Sequence, residues 1–391
     1  MKPEDFSSSS AGECRRMPSG YCAFFPHPLP PKLDIDWPLA SLLSEADRAM
    51  AELSGAGSLL PNPHLLIRPY LRREAILSSR IENTIAEMDE LVLFEMEPEA
   101  VPRRPDVQEV ANYVRALDLG LQRMQELPIS SRLLCEMHAM LLQNVRGGEL
   151  TKTPGEFRRT QNWIGRPGAS LQEATFVPPP PEELHACLGA WENYLHSDSP
   201  EPILVKCALI HYQFESIHPF LDGNGRIGRL LITLFLCSTG SLSQPLLYLS
   251  GFFDEYRDDY YRSLLAVSQK GAWVEWLRYF LTGVRNQARA ALEDTKRILT
   301  LYQHYRDLLR SSRRAPSAAS GVLDAIFASP LLTISHHSEV HKLSHPTVSK
   351  AVEFWVAKGL LRELTGRRRN RLFHAPELSG IMSRREPPSV S

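Results

Sequence analysis

The sequence predicts a mainly α-helical protein with a separate, basic module at its C-terminal end. Three observations lead to this prediction. Apolar residues recur at helical spacing through most of the 391 residues, one short central stretch has the composition of a β-hairpin, and the charge balance changes near residue 311. A chain of this length is expected to form two or three domains.

The composition argues against several classes of protein. Hydrophobic residues make up 43% and charged residues 23% of the chain, as in globular proteins, and the formal net charge of −1 argues against a uniformly basic nucleic-acid coat. No apolar run is long enough to predict a membrane span or a secretory signal. Six cysteines without a CxxC pair argue against a disulfide framework and a zinc site. We therefore expect a soluble, cytoplasmic protein.

The N-terminal quarter of the chain predicts a tail followed by helices. Residues 1–20 are rich in serine and lack periodicity, which predicts a disordered tail. The prolines that follow predict an extended segment up to Trp37. A first helix is predicted over Pro38–Leu53, ending at the glycines of SGAGS, and residues Leu65–Glu97 have helical spacing.

A non-helical segment in the middle of the chain separates two groups of predicted helices. Helices are predicted on both sides of the segment Arg146–Pro181, which loses the helical period. Its core, GEFRRTQNWIG, favours a short β-hairpin, and the VPPPP that ends it favours an extended chain. Helical periodicity then continues to Leu309.

The segment His218–Arg229, HPFLDGNGRIGR, carries the strongest chemical signal. Its glycines at 223 and 225 permit a tight turn and a close approach of a ligand to the backbone. The apolar helix that follows presents free N–H groups to an anion, and Arg226 and Arg229 lie on one face of its first turn. Asp222 is suited to hold Mg²⁺ between phosphates, and His218 to deprotonate a hydroxyl near neutral pH.

Each part of this segment also has an ordinary structural explanation. A glycine turn before a helix occurs in many proteins, and a histidine near a helix end more often packs than reacts. A base, a carboxylate, an anion-binding loop and two arginines within 12 residues are harder to explain by packing. The P-loop pattern GxxxxGK[ST] is missing, so the segment indicates phosphate binding of another kind.

The string HPFLDGNGRIGR resembles the Fic family motif, H-x-F-x-[D/E]-G-N-G-R-x-x-R, at every defined position. The resemblance extends over about residues 25–310 in the order of elements. It implies a Fic-type helical bundle with a small β-hairpin flap. It also implies that AMP is transferred from ATP to a Ser, Thr or Tyr hydroxyl of a protein, with release of pyrophosphate.

The resemblance assigns a role to each residue of the motif. His218 is the expected base and Asp222 the expected ligand of Mg²⁺ (or Mn²⁺). Phe220 is expected to anchor the loop in the core, and Arg229 to grip the γ-phosphate. The expected ATP- and phosphate-binding residues are Gly223, Asn224, Gly225, Arg226, Ile227, Gly228 and Arg229.

A second motif lies upstream, where Ser78, Glu82 and Asn83 match the inhibitory pattern [S/T]-x-x-x-E-[G/N] of the same family. Ser78 and Glu82 are four residues apart, which predicts that they share one helix face. The alternative is a solvated Glu82 that pairs with Arg80. The resemblance implies an ion pair of Glu82 with Arg229 that denies this arginine to the γ-phosphate, and a shift of the helix would release this autoinhibition.

Two further regions resemble parts of Fic proteins. Glu156–Ile164 resembles the flap hairpin, whose exposed edge would hold a target segment next to His218; the alternative is a plain connecting loop. Glu255 and Tyr260 lie in a segment that resembles the helix closing the adenine pocket, and they are the candidate contacts to the base or ribose. Tyrosines at helical spacing more often belong to a core, and Tyr256 stands where family members often have asparagine.

The C-terminal module is basic and looks like a winged helix. Residues 311–391 hold 12 Lys and Arg against 6 Asp and Glu. Helices are predicted over Val322–Ala328, Ser335–Lys342 and Ser344–Lys358, followed by two strands around the turn TGRRRN. The alternatives to nucleic-acid binding are a protein contact and a structural arm. The residues expected to face nucleic acid are Ser344, Thr347, Ser349, Lys350, Arg367, Arg368, Arg369 and Arg371.

The predicted organisation follows from these readings of the sequence. We expect a tail (1–20), an N-terminal helical region with the inhibitory helix (21–105), a Fic catalytic domain (106–310), a linker (311–320), a winged helix (321–380) and a tail (381–391). ATP and a target protein hydroxyl are the expected partners; a second copy of the chain and nucleic acid stay open, and no membrane is expected. Two alternative functions stay open: transfer of phosphocholine, UMP or phosphate, and transcriptional regulation by a winged-helix protein whose Fic body senses nucleotide.

Overall fold

The computed structural model describes residues 1–6, 9–58, 64–96, 104–145, 152–166, 168–366 and 371–382. Helices dominate these residues, so the mainly α-helical class is confirmed. Within the described ranges, no helix combines the length and the apolar content that crossing a membrane would require.

An antiparallel hairpin precedes the helices of the body. Its strands are β1 (Gly12–Arg16) and β2 (Cys22–Pro26). The helices are α1 (Trp37–Ser58), α2 (His64–Ile81), α3 (Met88–Met96), α4 (Pro105–Arg123), α5 (Ser131–Leu141), α6 (Leu184–His196), α7 (Ile203–Ile217), α8 (Asn224–Ser238), α9 (Ser250–Glu255), α10 (Arg257–Lys270) and α11 (Trp273–Ser311).

The prediction of a disordered tail over residues 1–20 is wrong, because β1 lies within it and pairs with β2. Phe6 and Phe24 are buried and pack with Phe176, with ring centroids 5.6 to 6.3 Å apart. The apolar side chains of this segment are scattered among serines and are buried against a distant part of the chain. The sequence of this segment therefore has no hydrophobic periodicity from which its burial could be predicted.

The predicted ends of the first two helices also need correction. The glycines at 55 and 57 do not end α1, which continues to Ser58 and packs along the long helix α11. This tertiary packing outweighs the low helix propensity of glycine. The stretch Leu65–Glu97 is not one helix: α2 ends at Ile81, and a turn with Asn83 at φ 62° separates it from α3.

The core of the body surrounds α7 and α8, whose side chains are nearly all buried. Two tryptophans attach neighbouring helices to α7. The indole of Trp191 on α6 donates to the carbonyl of Ile210 (3.1 Å), and that of Trp276 on α11 donates to the carbonyl of Ala208 (3.0 Å). These bonds fix α7 between α6 and α11, and the segment His218–Arg229 leads from its end into α8.

The C-terminal module consists of α12 (Ala319–Ala328), β3 (Leu331–Thr333), α13 (Ile334–His341), α14 (His345–Ala357), β4 (Arg362–Glu363), β5 (Leu372–His374) and α15 (Pro376–Met382). The strands form an antiparallel sheet in the order β3–β5–β4. The succession of helix, strand, two helices and two strands is the one expected of a winged helix, and that interpretation stays a prediction.

The residues expected to face nucleic acid differ in their surroundings. Lys350 is exposed on α14, whereas Ser344 and Thr347 hydrogen bond to each other at the start of this helix and cap it. Ser349 donates to Glu353, and the guanidinium of Arg371 lies 3.5 Å from Glu363. Arg367, Arg368 and Arg369 lie outside the described residues.

The N-terminal hairpin should contribute to stability through Phe24. Replacing its buried ring (Phe24→Ala) should lower the free energy of unfolding by about 3–5 kcal/mol, because it leaves a cavity against Phe176. Phe25, the neighbouring residue on the partly exposed face of β2, serves as the matched control. Urea unfolding should show a much smaller loss for Phe25→Ala, and equal losses would contradict this role of the hairpin.

Candidate active site

His218 follows the last residue of α7 and takes a left-handed backbone conformation (φ 49°). Its Nδ1 lies 3.2 Å from the carbonyl of Glu215, and within the described part of the chain its Nε2 has no hydrogen-bond partner. Burial lowers the pKa of His218 to about 4, so the imidazole is neutral at pH 7. With Nδ1–H donating to the carbonyl, Nε2 carries the lone pair that a general base needs.

Asn224 closes the loop that begins with His218. Its side-chain Oδ1 accepts the N–H of Phe220 and its Nδ2 donates to the carbonyl of Phe220, both at 2.8 Å. Phe220 is fully buried and stacks on His138 of α5, with ring centroids 3.8 Å apart, in the position that a loop anchor requires. This buried amide is bonded to the loop backbone through both its polar atoms, so of Asn224 only the backbone N–H at the helix start is left to bind a phosphate.

The start of α8 is shaped by two glycines. Gly223 is the N-cap and has φ 79°, a conformation that residues with a Cβ adopt at a cost. At Gly225 a Cβ would lie 2.3 Å from Oε1 of Glu82 and 2.9 Å from Nη1 of Arg229. A carboxylate thus already lies against the positive end of this helix, at the place where an anion is favoured.

Two residues of the predicted phosphate set pack in the core instead. The side chain of Ile227 is fully buried, and its N–H donates to the carbonyl of Gly223 (3.0 Å) within the helix. Gly228 faces α7, where a Cβ would lie 2.3 Å from Oε1 of Glu215. The predicted phosphate contact of Ile227 is therefore wrong, and Gly228, inside the helix, instead allows α7 and α8 to pack closely.

Arg229 is buried and bonded to the upstream motif. Its Nε donates to the hydroxyl of Ser78 (2.8 Å), and its Nη2 donates to the carbonyl of Ser78 (2.9 Å) and to Oε1 of Glu82 (2.8 Å). Burial acts to lower the pKa of Arg229, but Glu82 and the other acidic groups around it together outweigh burial, and the pKa is raised. The structure thus brings together two motifs that are 147 residues apart in sequence.

Glu82 does not lie on the helix face that the spacing predicts, since α2 ends at Ile81 and Glu82 belongs to the following turn. Asn83, the third residue of this motif, accepts a hydrogen bond from Arg257 (3.1 Å), not from Arg229. Arg80, the alternative partner of Glu82, donates through Nε to Asp254 (2.9 Å). The turn is therefore fastened to α9 and α10, and Glu82 pairs with Arg229.

Asp222 lies among three charged side chains. Its Oδ2 is 2.5 Å from Nζ of Lys152, and its Oδ1 is 3.5 Å from Arg226, which also pairs with Glu109 of α4 at 3.2 Å. Burial acts to raise the pKa of Asp222, but the two cations outweigh it and the pKa is lowered. Asp222 is therefore ionised and able to hold a cation.

The predicted flap hairpin is reduced to one antiparallel bridge, between Ile164 and Phe176. The stretch before it is tied to the His218 loop by polar side chains. Arg158 is buried and donates to the carbonyls of His218 (3.0 Å) and Pro179 (2.5 Å), and Asn162 donates to that of Phe220 (2.8 Å). Side chain to backbone bonds thus replace the ladder of a hairpin.

The two candidate contacts to the nucleotide base have different outcomes. Tyr260 is buried, and its hydroxyl is bonded to His211 (2.8 Å) inside an aromatic cluster, so the prediction that it contacts the base is wrong. Glu255 is exposed at the end of α9. Tyr261, which was not among the predicted contacts, is 40% exposed, and burial together with the charge of Glu82 raises its pKa.

A divalent metal would depend on Asp222 in this site. Within the described ranges, no three His, Cys, Asp or Glu side chains come together as a metal-binding group. Mg²⁺ is commonly held by one or two carboxylates together with substrate phosphates and water. Asp222 therefore fits a metal ion that shares its coordination with a polyphosphate.

Comparison with known sequences assigns the chain to a family. The sequence model described as Fic/DOC family N-terminal matches residues 40–122, and the one described as Fic/DOC family matches residues 128–236, which include all of His218–Arg229. This chain belongs to the Fic/DOC family.

Curated relatives of this Fic/DOC protein include the proteins named protein adenylyltransferase Fic from Drosophila grimshawi (33% identical over 136 residues) and Drosophila virilis (34% over 137 residues). Each match covers 33% of this chain, and the chain spans only 26% and 25% of the lengths of these relatives.

Solved structures share the fold. A Fic family protein from Desulfovibrio desulfuricans G20 has a TM-score of 0.57 at 19% identity and covers 89% of this chain and 98% of its own. Fic-1 (residues 134–508) from C. elegans has a TM-score of 0.51 at 21% identity, over 67% of this chain and 74% of its own.

Sequence reasoning missed the residues that support the Fic motif from other elements. Arg158 and Asn162 lie within the stretch GEFRRTQNWIG, whose mixture of aromatic and polar residues was the available signal. His138 and Glu109 lie on helices, and Lys152 in a loop, where nothing in the local sequence distinguishes them from other polar residues.

Arg158 should be required for a stable His218 loop. In Arg158→Met the carbonyls of His218 and Pro179 lose a charged donor, which should cost about 2–3 kcal/mol of unfolding free energy. The neighbouring Arg159 is exposed and pairs with Glu156, so Arg159→Met should change it by less than about 0.5 kcal/mol. Urea unfolding of both variants measures the difference, and a similar effect of both would contradict this assignment.

Proposed function

We propose that this Fic/DOC protein is a protein adenylyltransferase, which transfers AMP from ATP to Ser, Thr or Tyr hydroxyls of target proteins and of itself and releases pyrophosphate. The observation that carries the proposal is the imidazole of His218, whose Nε2 has no hydrogen-bond partner among the described residues, one short loop away from the start of α8 and Arg229. The names of the curated relatives support the same activity.

The reaction requires little from the protein beyond positioning, charge stabilisation and one proton transfer. The target hydroxyl attacks the α-phosphorus while its proton passes to Nε2 of His218, and the bond to the pyrophosphate oxygen breaks. The N–H groups at the start of α8 face the phosphates, and Arg229 pairs with the γ-phosphate. Bonding of Asn224 to Phe220 holds the loop so that these donors keep their positions.

Asp222 is the residue that would hold Mg²⁺ in this reaction. When bound, Mg²⁺ neutralises charge on the phosphates and so favours departure of pyrophosphate. The carboxylate of Asp222 is ionised and faces the loop, and Arg226 with Glu109 keeps it in place.

Glu82 explains how such an enzyme would be kept inactive. Its carboxylate lies against the start of α8 at Gly225 and bonds to Arg229, the positions that the proposal assigns to phosphate oxygens. A nucleotide therefore competes with Glu82 for the same donors. Because Glu82 lies in a turn beyond the end of α2, it can be displaced without unfolding that helix.

Removing Glu82 should activate the transferase. With ATP labelled at the α-phosphate and Mg²⁺, Glu82→Gly should label itself roughly ten- to hundredfold faster than the native chain, the effect of losing one charged hydrogen bond to Arg229. Glu87→Gly, a change to another exposed acidic residue of the same segment, should leave the native rate unchanged. Mass spectrometry should show the mass of AMP on the labelled residue.

Three outcomes would contradict parts of the proposal. If Glu82→Gly labels itself at or below the native rate, Glu82 is not inhibitory. If labelling persists in the double variant Glu82→Gly, His218→Ala, then His218 is not the base. An added mass other than that of AMP would show that a different group is transferred.

The pH dependence of the Glu82→Gly variant should report the buried His218. A base works in its neutral form, and burial lowers the pKa of His218 to about 4, so kcat/KM should stay high through pH 6.5 and fall only below about pH 5. An inflection near pH 6.5, the ordinary value, would contradict the proposed state of His218.

A second variant distinguishes the titration of His218 in this pH profile from that of a neighbouring carboxyl group. Burial raises the pKa of Glu215 to about 7, and this carboxyl packs against Gly228 beside Arg229. An inflection near pH 7 that disappears in Glu215→Gln belongs to Glu215, whereas the one from His218 should persist in that variant.

A further inference from the structure

Lys152 pairs with Asp222 from outside the loop. Its Nζ lies 2.5 Å from Oδ2, and the two side chains are 26% and 35% exposed. The other oxygen, Oδ1, accepts the N–H of Gly223 (2.6 Å) and faces Arg226. A metal ion that binds Asp222 must therefore bind at Oδ2, where the ammonium group now lies.

Two cations cannot share this oxygen at low cost. Unit charges a few ångströms apart repel by about 4 kcal/mol even at the effective dielectric constant of a protein surface. Lys152 must therefore leave Oδ2 before a divalent cation can bind, and its charge then needs another partner. In the proposed reaction the partner within reach is the polyphosphate, the other ligand of that cation.

We propose that Lys152 is a further substrate-contacting residue: it holds Asp222 in the nucleotide-free protein, and it pairs with the polyphosphate once Asp222 is given over to a divalent cation. This inference rests on the proposed function, because it takes a nucleoside triphosphate as the ligand.

The surroundings of Lys152 suit this exchange. The backbone just after it is fixed to α5, because the N–H of Gly155 donates to Nδ1 of His138 (2.9 Å), whose Nε2 lies 2.9 Å from the carbonyl of Asp222. The same histidine thus joins the backbone beside Lys152 to the backbone of Asp222. The lysine side chain itself is long, flexible and partly exposed, so that a pair of this kind opens at little cost.

Measurements of metal and nucleotide binding separate this role from a structural one. The probes are Mn²⁺ alone, followed by electron paramagnetic resonance, and an ATP analogue with a methylene group between the α- and β-phosphates, followed by calorimetry with Mn²⁺ present. Both use the full chain carrying Glu82→Gly. Lys152→Met should bind Mn²⁺ about threefold or more tighter, because a competitor is removed, and the analogue about threefold or more weaker, because a phosphate partner is lost.

Three further variants serve as controls. Lys152→Arg keeps the charge and should stay close to the parent in both measurements. Lys270→Met removes an exposed lysine of α10 and should change neither. Asp222→Asn should abolish the gain in Mn²⁺ affinity when it is combined with Lys152→Met, because the gain depends on the carboxylate.

The outcomes distinguish this inference from the proposed function. If Lys152→Met lowers the affinity for both Mn²⁺ and the analogue, or leaves either affinity unchanged, the proposed exchange of partners by Lys152 is wrong, while nucleotide binding stands. If the parent with Glu82→Gly does not bind the analogue at all, the proposed function and this inference fall together.

Discussion

The buried guanidinium of Arg229 is the charge on which the arrangement of the site depends. A charge that is withdrawn from water must be paired, and here Ser78 and Glu82 provide the partners through three hydrogen bonds. Any ligand that draws Arg229 away from Glu82 must supply an anion of its own. A triphosphate does so, whereas an uncharged ligand would leave the guanidinium unpaired.

The same constraint explains why the acidic residue lies in a turn and the hydroxyl on the helix. Ser78 is fully buried on α2 and keeps two of the three bonds to Arg229 through its hydroxyl and its carbonyl. Glu82 provides the third bond from the turn beyond Ile81. This turn is fastened on one side by Arg80, at the end of α2, to Asp254, and on the other by Asn83 to Arg257. Exchange of Glu82 for a phosphate therefore alters one bond of Arg229 and leaves the others in place.

The sequence located the candidate residues of the site better than it predicted the packing around them. The motif residues His218, Asp222 and Arg229 lie in one contiguous loop and the start of the helix that follows, so their spacing is fixed locally. The predictions failed where a role depends on a distant contact: Tyr260 is bonded to His211 and Gly228 faces Glu215, and neither partner is visible from local spacing. The N-terminal strand β1 escaped prediction for the same reason, since the rings around it come from a distant part of the chain.

In the proposed mechanism Glu82 and the γ-phosphate compete for Arg229, and the ratio of ADP to ATP dissociation constants tests this competition most directly. Calorimetry should give nearly equal constants for the two nucleotides with the native chain, because the γ-phosphate finds Arg229 occupied. With Glu82→Gly, ATP should bind roughly tenfold tighter than ADP, the gain from one charged hydrogen bond. The same ratio in both proteins would contradict the claim.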